Sequence, residues 1–185
     1  MFKKIFYTLF IILFISSCKT ETFPKPTGYL NLEYKNSTYR KIHTTCPFSF
    51  EINNQAKLSF NEKCWIKVKY PKLKATIDIT YIPVSKNLKT LFIEAEKLST
   101  KHSIKADKIS FIPYENKKQQ VYGKVTNVTG NAASAIQFHV TDSTKHFLTG
   151  AVYFNVAPNY DSIYPAIKLL EKDVAHLVET LKWKQ

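Results

Sequence analysis

The residues of this sequence best suited to bind a ligand are lysines grouped around a tryptophan. Side chains two apart on a strand share one face, so their charges act on one surface, and an aromatic ring beside them suits a polyanion. The sequence therefore indicates a candidate face for an anionic polymer. This lysine face comprises Trp65, Lys67, Lys69, Lys72 and Lys74. A solvated strand face without a ligand is the alternative, because the other lysines of the chain are scattered.

The whole chain is basic, with 27 lysines and arginines against 14 aspartates and glutamates and an isoelectric point near 9.5. Such a balance favours an anionic neighbour. Anionic lipid, cell-wall polymer and nucleic acid all fit by charge. Among these we expect contact with the membrane and no nucleic-acid partner, and we expect no small-molecule substrate.

Two histidines, His139 and His146, are the metal-ligand candidates that the spacing brings closest. They flank a predicted turn, and a two-residue loop of Ser143 and Thr144 would make them diagonal neighbours on one face of a hairpin. A third ligand is missing from this pattern, so we expect histidines that pack under a helix or face solvent, and no metal site. The sequence also has no glycine-rich phosphate loop, no GxSxG and no HExxH. We therefore expect no catalytic residue and no cofactor.

The stretch from Val121 to Asn155 predicts the centre of the fold, a three-stranded antiparallel meander. Gly130 and Asp142–Lys145 supply its two turns. The two-residue loop pairs Thr141 with His146, and this pairing assigns the last two strands to faces. The predicted core face holds Ile136, Phe138, Val140, Phe147, Ala151 and Tyr153, and the predicted opposite face holds Gln137, His139, Thr141, His146 and Leu148.

Apolar and polar residues alternate in further stretches and predict more strands. These lie at residues 28–34, 46–52, 64–70, 74–82 and 109–114. Helical spacing predicts one helix from Asn87 to about His102 and a longer one capped by Asp161 or Ser162. The buried stripe of the second helix would be Ile163, Ile167, Leu170, Val174, Leu177 and Leu181. The expected fold class is α+β, a mainly antiparallel sheet with two main helices packed on it.

Residues 1–17 have the composition of a signal peptide. A basic start precedes an apolar run that is too short to span a bilayer comfortably and that ends at small residues before Cys18. Ile15-Ser16-Ser17-Cys18 resembles a bacterial lipobox, without the usual leucine three positions before the cysteine. The resemblance implies that Cys18 is the lipidated first residue of the mature protein, held in the membrane by several acyl chains. Ordinary signal-peptide cleavage with a free Cys18 is the alternative.

The rest of the chain divides into a tether and a domain. Residues 18–27 contain two prolines and no apolar periodicity, which predicts an extended tether that reaches at most about 30 Å. Residues 28–185 then form a single α+β domain close to the membrane.

Cys46 and Cys64 are the two cysteines that remain if Cys18 is lipidated. They are an even pair in an exported chain, and each begins the apolar face of a predicted strand, so we expect a disulfide between them. Free buried thiols are the alternative.

Several stretches also carry a family resemblance. They are CPFSFEI, CWIKVKYPKLKATIDITY, KHSIKAD, YGKVTNVTGNAASAIQFHVTDSTKHFLTGAVYFN and DSIYPAIKLLEKDVAHLVETLKWK. From Pro24 onward the chain resembles the gliding motility lipoprotein GldD family of the Bacteroidota. The resemblance implies an outer-membrane lipoprotein that is required for gliding motility, is tied to type IX protein secretion and has no established enzymatic activity. The order of elements is also similar to the Mog1/PsbP-like sandwich.

Two serines match a modification pattern of the same bacteria. Asp142-Ser143-Thr144 and Asp161-Ser162-Ile163 are similar to acceptors of periplasmic O-glycosylation, so Ser143 and Ser162 are candidate glycosylation sites. A turn and a helix cap explain the same residues without a glycan.

Two functions follow as hypotheses. The first is a non-enzymatic envelope component, lipid-anchored in the outer membrane, that acts through contacts with other gliding or type IX secretion lipoproteins. The second is a binding module for an anionic envelope polymer, peptidoglycan or lipopolysaccharide, that uses the lysine face. We expect the periplasmic side of the membrane, because only Glu21 is acidic near Cys18 and the acidic surface-export signature is poorly matched.

Overall fold

The computed structural model describes residues 37–101, 106–156 and 159–184. The predicted signal peptide, Cys18, the tether and the predicted strand at residues 28–34 lie outside these residues. Neither helix in the described part of the chain combines the length and the apolarity needed to cross a bilayer.

A seven-stranded antiparallel sheet is the centre of the molecule. Its strand order is β4-β5-β6-β10-β9-β8-β7. The strands are β4 (Lys57–Phe60), β5 (Ile66–Tyr70), β6 (Ala75–Pro83), β7 (Lys108–Asn116), β8 (Val121–Thr129), β9 (Ser134–Thr141) and β10 (His146–Phe154). The predicted meander is confirmed as β8, β9 and β10, and β7 extends it by one strand.

The two helices cover opposite faces of this sheet. Helix α1 (Leu88–Lys101) packs Leu91 and Ala95 against Phe147 in a small core. Helix α2 (Tyr160–Glu179) packs its apolar stripe into a much larger core on the other face. Every residue of β9 is buried as a result. The α+β prediction is confirmed, and the likeness to the Mog1/PsbP-like sandwich stays a prediction.

Four short strands complete the described chain. β1 (Tyr39–Lys41) pairs with β3 (Glu51–Asn53), and β2 (Phe48–Ser49) pairs with β11 (Lys182–Trp183). The predicted strand at residues 46–52 is therefore divided between two small sheets. Its alternation is confirmed in part. The four predicted inward side chains, Cys46, Phe48, Phe50 and Ile52, are buried, but Ser49, which alternation places outward, is buried as well where β2 pairs with β11.

The hairpin of β9 and β10 has a register one residue away from the predicted one. Thr141 pairs with Phe147 and not with His146. A shift of one residue moves every side chain of one strand to the other face, so the predicted faces are right for β9 and wrong for β10. The α2 face holds Ile136, Phe138, Val140, Leu148, Gly150 and Val152, and the α1 face holds Gln137, His139, Thr141, Phe147, Thr149 and Ala151.

The turn between these strands explains the shift. The Asp142 carboxylate accepts hydrogen bonds of 2.8–2.9 Å from the backbone N–H groups of residues 144–146. Ser143 has a left-handed φ of 66°. The turn therefore takes one residue more than a two-residue loop. Both faces of the hairpin are buried, so the hydrophobic pattern of the sequence does not distinguish the two registers.

The start of α2 also differs from the prediction. Asn159 is the capping residue, and its side chain accepts a hydrogen bond from the backbone N–H of Ser162. Asp161 instead lies in the first turn, where its charge favours the positive end of the helix dipole. The buried stripe of α2 is confirmed from Ile167 to Leu177, with Ile163 half-buried, and Leu181 is buried just after the helix ends.

Candidate functional site

The tip of the β4–β5 hairpin holds Trp65 at the surface. The Asn61 side chain accepts hydrogen bonds of 3.0 Å from the backbone N–H groups of Lys63 and Trp65. Cys64 adopts a left-handed φ of 58°, and its disulfide to Cys46 has a Cα–Cα distance of 5.6 Å. The predicted disulfide is thus present in the structure. The disulfide fixes Cys64, the residue before Trp65. The Trp65 side chain itself is 49% exposed.

A cleft of about 370 Å³ opens beside this tryptophan. Its position follows from the register, since β5 pairs with β6 so that Lys67 lies opposite Asp78. The residues that line it include Phe60, Asn61, Trp65, Lys67, Asp78 and Thr80. We call this space the Trp65 cleft. It combines an exposed aromatic ring with both signs of charge.

Lys67 and Asp78 form the polar centre of the Trp65 cleft. The Lys67 Nζ atom lies 3.4 Å from Asp78 Oδ1, and both side chains are partly exposed. This contact has the distance of an ion pair without the geometry of a hydrogen bond, so the buried Oδ1 atom has no hydrogen-bond donor among the described residues. The pair can accept a hydrogen bond at Asp78 and donate further ones from Lys67.

The structure separates the residues of the predicted lysine face. Lys67 and Lys69 project from the face of β5 that points away from the larger core, on the same side of the sheet as the Trp65 cleft. Lys72 lies in the short 3₁₀ turn after β5 and lines a second groove against Leu169 of α2. Lys74 ends that turn in a left-handed conformation. The structure therefore places Trp65, Lys67 and Lys69 on one side of the sheet and Lys72 on the other, and the lysine face as a binding site stays a prediction.

The second groove has a volume of about 270 Å³ and a more apolar lining. It lies between the β5–β6 turn and α2. The residues that line it include Asn53, Gln55, Tyr70, Lys72, Leu73 and Leu169.

A buried polar cluster behind this groove was missed by sequence reasoning. Asp173 is 3% exposed, and its carboxylate accepts hydrogen bonds from the Tyr39 hydroxyl at 2.8 Å and from the Asn53 amide at 3.2 Å. Burial, with Asp173 nearby, raises the pKa of Tyr39 to about 12 and also raises the pKa of Tyr70. The signal for this cluster was an acidic residue inside the apolar stripe of α2. Its bonds fasten α2 to β1 and β3, which is a structural role.

His176 is the partly exposed end of the same cluster. Its ring stacks on Tyr39 with centroids 3.6 Å apart, and its Nε2 atom lies 2.9 Å from a Glu51 carboxylate oxygen. These contacts join α2 to the strands that precede the main sheet.

His139 and His146 are not neighbours on one face, which corrects the predicted diagonal pair. The one-residue shift puts His139 under α1, between Phe92 and Phe147, while the His146 Nδ1 atom lies 2.9 Å from the Tyr81 hydroxyl on the other face. Burial lowers the pKa of both histidines. No group of three histidine, cysteine or acidic side chains within residues 37–101, 106–156 and 159–184 has the geometry to hold a metal ion.

The two candidate glycosylation serines occupy different surroundings. Ser143 is exposed at the tip of the β9–β10 turn, next to Asp142. Ser162 is exposed in the first turn of α2, and its backbone, not its hydroxyl, takes part in the cap. The prediction that Ser162 caps the helix is therefore wrong.

Comparison with known proteins adds one positive finding. A family model described as "Gliding motility lipoprotein GldD" matches residues 19–183. No curated protein matches the chain.

Proposed function

The chain belongs to the gliding motility lipoprotein GldD family, and from this premise we propose that it is a non-enzymatic component of the outer membrane that supports gliding and type IX protein secretion through contacts with other lipoproteins. The observation that carries the proposal is the family match over residues 19–183. The family is one of motility lipoproteins, and it implies a lipid anchor. The predicted anchor residue, Cys18, directly precedes the matched region.

Exposed apolar side chains support a role in protein contacts. Phe60 and Trp65 lie exposed at one edge of the sheet, and Phe111 and Ile112 are more than half exposed on the opposite edge strand, β7. Apolar groups exposed in pairs are typical of contact surfaces. The molecule thus offers two separate edges to partners.

Deletion of the gene tests the requirement for gliding and secretion. We expect the deletion strain to stop gliding and to lose type IX secretion, and the wild-type gene on a plasmid to restore both. Normal gliding together with normal secretion in the deletion strain would contradict the proposal.

Cross-linking tests the mode of action. Cells are cross-linked, the lipoprotein is purified in detergent, and co-purified proteins are identified by mass spectrometry. We expect stoichiometric recovery of other gliding or type IX lipoproteins. Recovery of the protein alone, or only with cell-wall fragments, would argue against a subunit that acts by protein contacts.

A second candidate function is binding of an anionic envelope polymer, peptidoglycan or lipopolysaccharide. The observation that favours it is the Trp65 cleft, which places Trp65 beside Lys67 on an exposed surface. The double variant Lys67→Glu, Lys69→Glu should sediment less with purified cell wall than the wild type. Unchanged sedimentation would exclude this function.

Ser143 and Ser162 remain proposed sites of O-glycosylation. Ser143 is the better candidate, because an exposed turn with a left-handed residue leaves its hydroxyl accessible. Mass spectrometry of the protein purified from its native host should show a glycan that is absent from the Ser143→Ala variant. An unmodified Ser143 peptide would end the proposal for that site.

A further inference from the structure

We infer that the Trp65 cleft is a subsite for one sugar ring of an anionic glycan, with Trp65 as the stacking surface and the Lys67–Asp78 pair as the hydroxyl-binding group. This inference deepens the polymer-binding candidate and rests on it. It names residues that the lysine face alone does not contain, Asp78 and Phe60, and it leaves out Lys72 and Lys74.

The cleft continues into an open part of the sheet. Helix α1 covers the upper end of this face at Phe147 and His139, and among the described side chains its packing does not extend to the rows of residues nearer β4. There the side chains across β5, β6 and β10 are mostly small or polar. This open sheet face consists of Lys67, Lys69, Thr76, Asp78, Thr80, Thr149, Ala151 and Tyr153. A chain of sugar rings needs such a shallow surface with many hydrogen-bonding groups.

Trp65 supplies the apolar surface that a sugar ring requires. A large aromatic side chain left half exposed costs hydration free energy unless another apolar surface covers it. The Asn61 turn and the disulfide at Cys64 hold its backbone in place, so little conformational freedom is lost on binding. Lys63 lies against the ring, with its Nζ atom 5.6 Å from the ring centroid, and adds a cation at the mouth of the cleft.

The Lys67–Asp78 pair supplies the polar contacts. Asp78 Oδ1 is itself buried beside Lys67, but the Asp78 side chain as a whole is 39% exposed. A ligand hydroxyl can therefore donate to the exposed part of this carboxylate and accept from the Lys67 ammonium group at the same time. Carbohydrate hydroxyls do both, whereas a phosphate or a fatty acid offers acceptors only. The carboxylate acceptor at Asp78 therefore favours a sugar over an unbranched polyanion.

The surrounding charge selects an acidic glycan. Lys67 lies beside the Asp78 carboxylate, Lys69 follows on the same face of β5, and Lys63 lies over the Trp65 ring. A carboxylate or phosphate on a neighbouring sugar would lie in a positive field. An acyl chain fits the second groove at Leu169 better, because that groove has the more apolar lining.

The test uses the full-length lipoprotein in detergent micelles. The protein has two tryptophans, so the Trp183→Phe variant makes Trp65 the only source of indole fluorescence. Soluble peptidoglycan fragments and lipopolysaccharide core oligosaccharide are the acidic glycan probes. Dextran is the neutral glycan control, and polyphosphate is the anionic control without rings. We expect a saturable change in Trp65 emission with at least one acidic glycan and a much weaker response to both controls.

Binding is measured a second time without the Trp183 substitution, by equilibrium dialysis of the labelled glycan. Trp65→Ala and Lys67→Gln should each weaken binding by about tenfold, in line with the loss of a stacking or charge-assisted contact. Lys72→Gln is the matched control, because it removes the same charge from the other side of the sheet. We expect it to change affinity by less than about twofold.

The remaining outcomes overturn the inference in distinguishable ways. Equal losses in Lys67→Gln and Lys72→Gln would mean diffuse electrostatic attraction, and polymer binding would stand without the cleft. Polyphosphate that binds as tightly as the glycans would remove the role of the sugar ring. No binding of either acidic glycan, or a partner protein cross-linked at Trp65 in its place, would overturn the cleft and the polymer-binding candidate together. The gene-deletion result for gliding is independent of all three outcomes.

Discussion

His139 shows how the sheet controls the charge of a single residue. Its side chain is 7% exposed and lies between the Phe92 and Phe147 rings. Burial lowers its pKa, while Glu96 acts to raise it and Lys124 to lower it again. The folded protein therefore favours the neutral imidazole.

The free energy of unfolding should consequently depend on pH near neutrality. Because the folded pKa lies below the unfolded value of 6.5, the unfolded state binds the proton first as pH falls, and stability is lost below about pH 6.5. Urea unfolding followed by circular dichroism from about pH 7 to about pH 5.5 should show this loss. His139→Gln should reduce the slope.

The exposed His43 provides the control for this measurement. His43→Gln should leave the pH slope unchanged. A slope that is the same in wild type and His139→Gln would mean that His146, whose pKa burial also lowers, carries the whole effect.

At the residue scale, sequence reasoning succeeded where one rule determined the outcome. Alternation predicted the burial of Cys46 and Phe48, because period two is a property of any extended chain. It failed at Asp142, where the carboxylate gathers three N–H groups and lengthens the turn. Those bonds, despite the opposing effect of burial, lower the Asp142 pKa. The alternation of apolar and polar residues in β9 and β10 does not encode the longer turn that Asp142 stabilises.

Two glycines, one on each strand that flanks β9, permit the close packing of the central sheet. A Cβ atom at Gly123 would overlap the backbone carbonyl of His139, and one at Gly150 would overlap the ring of Phe138. The first neighbour is part of the β8–β9 ladder, and the second is a side chain that can move.

These two positions should therefore differ in tolerance. Gly123→Ala should lower the free energy of unfolding by more than about 4 kcal/mol, because the backbone of β9 must shift. Gly150→Ala should cost about 1–3 kcal/mol, the usual effect of overpacking. Denaturant titrations of both variants compare them directly, and equal costs would contradict the distinction between backbone and side-chain neighbours.

The disulfide stabilises the junction of two elements. It joins Cys46, just before β2, to Cys64 at the hairpin tip, across a sequence separation of 18 residues. Closure of a loop of this size contributes about 3 kcal/mol. Cys46→Ala should lose about this much stability. Reductant should destabilise the wild type to the same extent and should leave Cys46→Ala unaffected, and an unchanged wild type under reduction would contradict the prediction.

At the element scale, length and periodicity decided what the sequence could predict. The stripe of α2 and the long strands β6 to β10 were recognisable because each repeats its pattern several times. The strands β1, β4 and β11 have two to four residues and no pattern of their own, so only tertiary pairing defines them. The position of Asp78 could have been predicted from the sequence, because the turn at Pro71 pairs β5 with β6 so that Asp78 lies opposite Lys67.

The anchor should determine where the whole molecule works. Cys18→Ser should prevent lipidation and abolish gliding, because several acyl chains give stable membrane anchoring. Metabolic labelling with radioactive palmitate and motility assays check both effects. The Cys46→Ala variant, which lacks a different cysteine, should still incorporate palmitate. Palmitate incorporation into the Cys18→Ser protein, or none into the wild type, would contradict the lipobox interpretation.

The pairing of Phe48–Ser49 with Lys182–Trp183 has a consequence for biogenesis. A chain threaded through a translocon emerges from its amino end, and the early segment that carries Cys46 is exported before its partner strand. Phe48 is fully buried in the folded protein. Its strand therefore stays unpaired until β11, the last strand, has been exported. During that interval a chaperone can bind the exposed hydrophobic segment, and lipid attachment near the amino end can precede the completion of the domain.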